Sequence, residues 1–270
     1  MPPILLLWVL SLESNGLDVF VQINDVTVYS KTTGVESSYS EKLNPLLLSG
    51  DNDVKVCLAL PPSSASSRTK ARTPSPSPQH TSEGPAFFLK IQKGERGRDP
   101  GQEGILLRFE WDSKQMPLTS GELKTVFDGK FQVPILPFPP PTWSEIPPLQ
   151  VDRPALEAFV RDYAEALRKR NVERLVGLNT PKFQELARSL GLETAVMTLG
   201  FQDFLGSMMS AKDWSVSVAP SLAFSLEGKS HLIRITSGNG TSPIWVRSGG
   251  REIPFDLTVS FIGGTWCILR

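Results

Sequence analysis

Apolar and polar positions alternate with a period of two through most of the first half of the chain, then change to a helical period after residue 150. In residues 17–30 (LDVFVQINDVTVYS), Val19, Val21 and Ile23 alternate with Phe20, Gln22 and Asn24, the spacing of a strand with one aliphatic face. Asn24-Asp25 breaks that alternation before Val26 and Val28, which predicts a turn or bulge. The apolar run Ile4 to Leu12 precedes this segment, and Ser14, Asn15 and Gly16 between the two predict a hairpin. Runs of strand composition recur at 43–60, 86–92, 104–111 and 121–133, parted by charged or glycine-containing turns. About seven strands without an amphipathic helix predict an antiparallel β-sandwich over residues 1–133.

From Asp152 to Arg170 the apolar residues Leu156, Phe159, Val160, Tyr163, Ala164 and Leu167 recur at the spacing of one helix face. Asp152 is placed to cap that helix, Pro154 sits in its tolerant first turn, and Glu157 with Arg161 and Glu165 with Lys169 make i,i+4 pairs on the wet side. A short second helix is expected over 171–178, and Thr180-Pro181 reads as the cap and first-turn proline of a third that ends at Gly191. A further helix over about 193–210 carries Met197, Leu199, Phe201, Phe204, Leu205, Met208 and Met209, which read as core filler. Strands return over 214–270, with turns at Asn239-Gly240, Ser248-Gly249-Gly250 and Gly263-Gly264.

Between the two regimes lies PILPFPPPTWSEIPPL, residues 134–149. Its seven prolines forbid helix interior and central strand and predict an extended polyproline segment. Its apolar residues, among them Ile135, Leu136, Phe138, Trp143 and Ile146, are too many for a solvated tether, so residues 134–150 are read as a strap joining two domains, 1–133 and 151–270. Residues 61–85 are low in complexity and rich in Ser and Pro, and they predict a disordered loop that holds Arg68, Lys70, Arg72 and His80.

The 270 residues suit two cores, and 28 basic against 28 acidic residues give zero net charge, with −2 before residue 151 and +2 after it. Such a balance offers no field for nucleic acid, and a charge near zero leaves a homo-oligomer open. Cys57 and Cys267 fall in apolar runs of different halves and read as buried thiols, while two scattered histidines, His80 and His231, give no metal-ligand spacing. Neither a metal nor a cofactor is expected. The first apolar run lacks a basic leader and a small-residue cleavage site, so it reads as a first strand, no stretch reaches membrane-spanning length, and a cytoplasmic location is expected.

The phrase LNPLLLSGDNDVKV resembles the loop and strand of jelly-roll accessory domains, a hint of fold and not of ligand. PALEAFVRDYAEALRKRNVERLVGL, with FIGGTWCILR at the end, resembles the NTF2-like (SnoaL-like) cone, in which helices pack into a bent sheet. The fold class expected is therefore α+β, an antiparallel β-sandwich followed by an NTF2-like or cystatin-like helix-plus-sheet domain. The resemblance implies that a carboxylate or His–Asp pair lines the cone if the domain is an enzyme, and Asp162, Tyr163, Asp203, His231 and Asp256 are the candidates. No catalytic residue is assigned, Asp203 and His231 being the two candidates kept beside that reading, and no glycine-rich phosphate loop or paired carboxylates accompany them.

Two functions remain. One is a non-catalytic protein-interaction protein, for example a bacterial toxin-neutralising (immunity) or accessory protein, with a protein partner held by Trp143, Phe138 and Ile146. The other is a small-molecule binder or isomerase/dehydratase-like enzyme that uses the cone. An open, polar cone favours the second reading, and a cone filled by Met197, Phe201, Phe204 and Met208 favours the first.

Overall fold

The computed structural model describes residues 6–32, 34–62, 84–95 and 104–270. The expected loop at 61–85, with its three basic residues and His80, lies outside the described residues apart from its ends. The fold is α+β, and the chain divides into two compact units, Met1–Ile135 and Leu136–Arg270.

The first unit has eight strands among its described residues: β1 (Leu6–Asn15), β2 (Asp18–Ile23), β3 (Val26–Lys31), β4 (Ser37–Lys42), β5 (Gly50–Ala59), β6 (Ala86–Glu95), β7 (Ile105–Glu110) and β8 (Lys124–Val133). They form two antiparallel sheets, β4-β1-β6-β7 and β3-β2-β5-β8, in a sandwich-like arrangement. β1 and β2 are not a hairpin. β1 pairs with β4 and β6, and β2 with β3 and β5. The residues between them turn a corner between sheets at Gly16, whose φ of +65° suits glycine and whose amide bonds the Gly34 carbonyl. The interruption at Asn24-Asp25 is a two-residue hairpin turn with φ of 51° and 63°, and the β2–β3 register also shifts at Val21/Gln22.

Three buried asparagines explain the LNPLLLSGDNDVKV phrase. Asn44 accepts from the Trp8 amide and donates to the Leu6 carbonyl. Asn52 accepts from the Leu48 amide, donates to the Leu48 carbonyl and receives the Asn24 side chain at 2.8 Å. Backbone that has left the sheet ladder is thus satisfied away from water. Tyr29–Tyr39 and Phe109–Phe127, with centroids 4.8 and 4.9 Å apart, pair rings of the two sheets.

The second unit holds α1 (Arg153–Arg168), α2 (Val172–Ser189) and α3 (Thr194–Met209), then β9 (Ser215–Val218), β10 (Leu222–Glu227), β11 (Leu232–Ser237), β12 (Ile244–Ser248), β13 (Arg251–Phe255), β14 (Leu257–Ile262) and β15 (Thr265–Ile268). The strands make two antiparallel sheets, β10-β11-β14-β15 and β13-β12-β9. All six residues assigned to the buried face of α1 are buried, and the Asp152 carboxylate accepts from the Ala155 amide at its start. That face packs with Ile233, Ile235, Val246, Val259 and Ile268.

The second and third helices expected from the sequence are one helix, α2, with Pro181 inside it. The proline removes the amide that would meet the Gly177 carbonyl. The adjoining carbonyls of Leu175 and Val176 accept from the side chains of Asn179 and Thr180, at 2.9 Å each, which adds side-chain bonds to the turn before the proline. Asn239-Gly240 is likewise a loop between sheets and not a hairpin turn, since β11 and β12 do not pair.

Candidate functional site

The proline-rich stretch from Leu136 belongs to the second unit and is fastened to it. The buried Glu185 carboxylate on α2 accepts the Thr142 amide at 2.9 Å and the Arg188 guanidinium at 2.7 Å. Arg188 also donates to the Thr142 hydroxyl and the Pro140 carbonyl, and the Leu149 amide reaches the Ser230 carbonyl. Trp143 is only 3% exposed. Its ring lies so close to the Gly228 backbone that a Cβ there would stand 3.3 Å from it, so glycine at 228 makes room for the indole. Of the three residues expected to hold a partner, Trp143 is therefore packed inside its own unit, while Phe138 and Ile146 are half-buried. Ile135, expected to pack, is exposed.

A cavity of about 320 Å³ opens beside α3 in the second unit. Its deepest lining residues are Tyr163 on α1, Asn179 on α2 and Ile268 on β15, all buried. Phe204, Pro254 and Asp256 line it from exposed positions, and Lys182, Phe201, Phe255 and Arg270 are intermediate. The phenol is raised to about 12 by burial, with the Asn179 hydrogen bond pulling the other way, so Tyr163 is a neutral donor in ordinary buffers. Asp256 receives the Ser242 hydroxyl. The four residues named as possible filler thus divide: Met208 is in the core, Phe201 packs against that core and also lines the cavity, Phe204 lines the cavity from an exposed position, and Met197 is half-buried.

Asp203 and His231 do not line this cavity. Asp203 is exposed on α3. His231 sits in the β10–β11 turn, where its carbonyl accepts the Ser260 hydroxyl and its Nδ1 is buried without a partner among the described residues. Asp162 pairs with Arg174 at 2.6 Å on the outer side of α1. Tyr163 and Asp256 are the sequence candidates that the cavity does bring together. Asn179, Lys182 and Arg270 were missed, and the signal for Asn179 was present: it is a polar residue beside the apolar Leu175, Leu178 and Phe183 on one face of α2. Dividing that helix at Pro181 hid the face.

α3 has a second property. Leu205, Met208 and Met209 are buried, yet Val196, Leu199 and Phe204 are 54%, 59% and 45% exposed, and Asp203 is the one charged residue in its 16. A helix whose surface side is this apolar is a mark of interaction.

Among the described residues no group of three His, Cys, Asp or Glu is placed to hold a metal, and no helix is long and apolar enough to cross a membrane. Fold and site define a two-unit α+β protein with an apolar helix face beside a small mixed cavity. Comparison with protein-family models, curated proteins and solved structures found no match to the chain.

Proposed function

We propose that this chain is a non-catalytic protein-interaction protein, and that its second unit is an NTF2-like module presenting α3 to a protein partner. The observation that carries the reading is the exposure of Val196, Leu199 and Phe204 on a helix whose single charged residue is Asp203. Three helices followed by antiparallel strands that close over their buried faces support the module assignment. A toxin-neutralising or accessory role fits such a surface, because association there needs no chemistry from the host protein. Partner binding is assigned to α3 in place of Trp143, whose indole is enclosed. The test is affinity co-purification from the native organism with the wild-type chain and with Leu199→Asp. A protein retained by the first and lost by the second, at unchanged melting temperature, supports the reading; equal retention removes α3 from the interface.

A second reading, small-ligand binding, is favoured by one specific observation: a cavity with Tyr163 and Asn179 at its deep end and Lys182, Asp256 and Arg270 in its lining. The cavity lining joins no histidine to a carboxylate. Binding is what this arrangement supports, ahead of proton transfer.

A further inference from the structure

Tyr163 and Asn179 are 2% and 3% exposed, and both have hydrogen-bonding capacity that the described protein leaves unused. Asn179 Nδ2 donates to the Leu175 carbonyl at 2.9 Å and to Tyr163 Oη at 3.3 Å. A carbonyl can only accept, so the Leu175 contact fixes the orientation of the amide. Both amide hydrogens are then engaged. What remains is the Tyr163 O–H as a donor and Asn179 Oδ1 as an acceptor, neither with a partner among the described residues, and both side chains line the cavity. Buried polar groups normally find partners, and a donor beside an acceptor selects for a group that can serve as both.

Building on the ligand-binding reading, we propose that this cavity takes a small compound with an aromatic or branched apolar body and a hydroxyl head. The hydroxyl accepts from Tyr163 and donates to Asn179 Oδ1, which a single hydroxyl can do. A carboxylate at that depth fails, because it accepts only and faces the Asn179 oxygen. A methyl fails because it leaves both groups unpaired. Phe201, Phe204 and Phe255 supply flat apolar wall for the body. Lys182 and Arg270, less deeply placed, favour an anionic far end, since two cationic side chains stand against one acidic side chain, Asp256, in the lining. An ammonium with three donors and a guanidinium with five can share them between protein partners and a ligand oxygen. At about 320 Å³ the space is near the lower limit for small-molecule pockets and suits a single ring.

The test is calorimetric titration of the full chain with 4-hydroxyphenylacetate, phenylacetate and 4-methylphenol. The expected result is that 4-hydroxyphenylacetate binds about tenfold more tightly than phenylacetate, the size of one hydrogen-bonding group in a buried site. Tyr163→Phe should bring that ratio close to one, and Lys182→Gln should weaken the two acids relative to 4-methylphenol. Equal affinity of wild type for the first two compounds overturns the hydroxyl assignment while leaving the cavity a binding site. No heat and no melting shift with any of the three at millimolar concentration overturns both this inference and the reading beneath it. If Tyr163→Phe fails to fold, the wild-type ratio alone decides.

Discussion

Asp18 starts β2 with its side chain buried, and its Oδ1 has no hydrogen-bond partner among the described residues. Burial pushes its carboxyl above the usual value of 3.8, and the Gly34 amide opposes that rise. Asp213 is the reverse case. The amides of Gly250 and Gly249 both donate to its carboxylate, at 2.7 Å each, and hold its carboxyl below 3.8. The two residues therefore bend the pH dependence of stability in opposite directions. For Asp18 the protonated form suits the fold, so its contribution is most favourable below pH 3.8 and declines as pH rises through the raised value. Asp18→Asn should accordingly melt higher than wild type at neutral pH, with the difference closing in acid. For Asp213 the charged form suits the fold, so its contribution is present above pH 3.8 and is lost as pH falls through the lowered value. Asp213→Asn should melt lower at neutral pH and meet wild type only in strong acid. Melting curves at a series of pH values check both, and a flat difference for either variant excludes the linkage.

At the scale of elements, α1 gives a direct comparison of faces. Phe159 is buried with Leu156, Val160 and Tyr163, and Phe159→Ala should destabilise by about 3 to 5 kcal/mol, the range for a large core truncation. Arg161, exposed and 3.9 Å from Glu157, should change stability by about 0.5 kcal/mol or less when replaced by alanine. Chemical denaturation of the two variants separates these outcomes, and equal effects would mean the wrong face is buried. The proline-rich segment gives a second test. Thr142 and Pro140 are held by Glu185 and Arg188, so protease cleavage within 137–148 should be slow in the wild type and faster in Arg188→Ala. Rapid cleavage of both would show that these bonds do not restrain the segment.

At the scale of the whole molecule, the division at Ile135 and Leu136 assigns the proline-rich segment to the second unit. A fragment of residues 136–270 retains Trp143 against Gly228 and the Leu149 bond to Ser230. A fragment of residues 151–270 loses both and uncovers the surface that the indole occupies. The longer fragment should melt cooperatively, and the shorter one should melt several degrees lower, since losing a buried Trp costs about 3 to 5 kcal/mol. Matching melting temperatures would mean that the segment adds nothing to the unit.

Periodicity alone was enough for α1, its cap at Asp152, the turn at Asn24-Asp25 and the mixed α+β class, because each depends on the spacing of near neighbours along one chain. Strand pairing was beyond it: β1 joins β4 and β6 although β2 is next in the chain, since a turn signal marks a change of direction without choosing a partner. α3 shows the same limit for a helix, because its apolar residues occur on all sides and composition cannot say that Leu205 turns inward while Leu199 faces water. The cavity depended on tertiary structure most of all. Tyr163, Asn179 and Arg270 are far apart in sequence, and only the packing of α1, α2 and the end of β15 around one core brings them together, while leaving Asp203 and His231 outside.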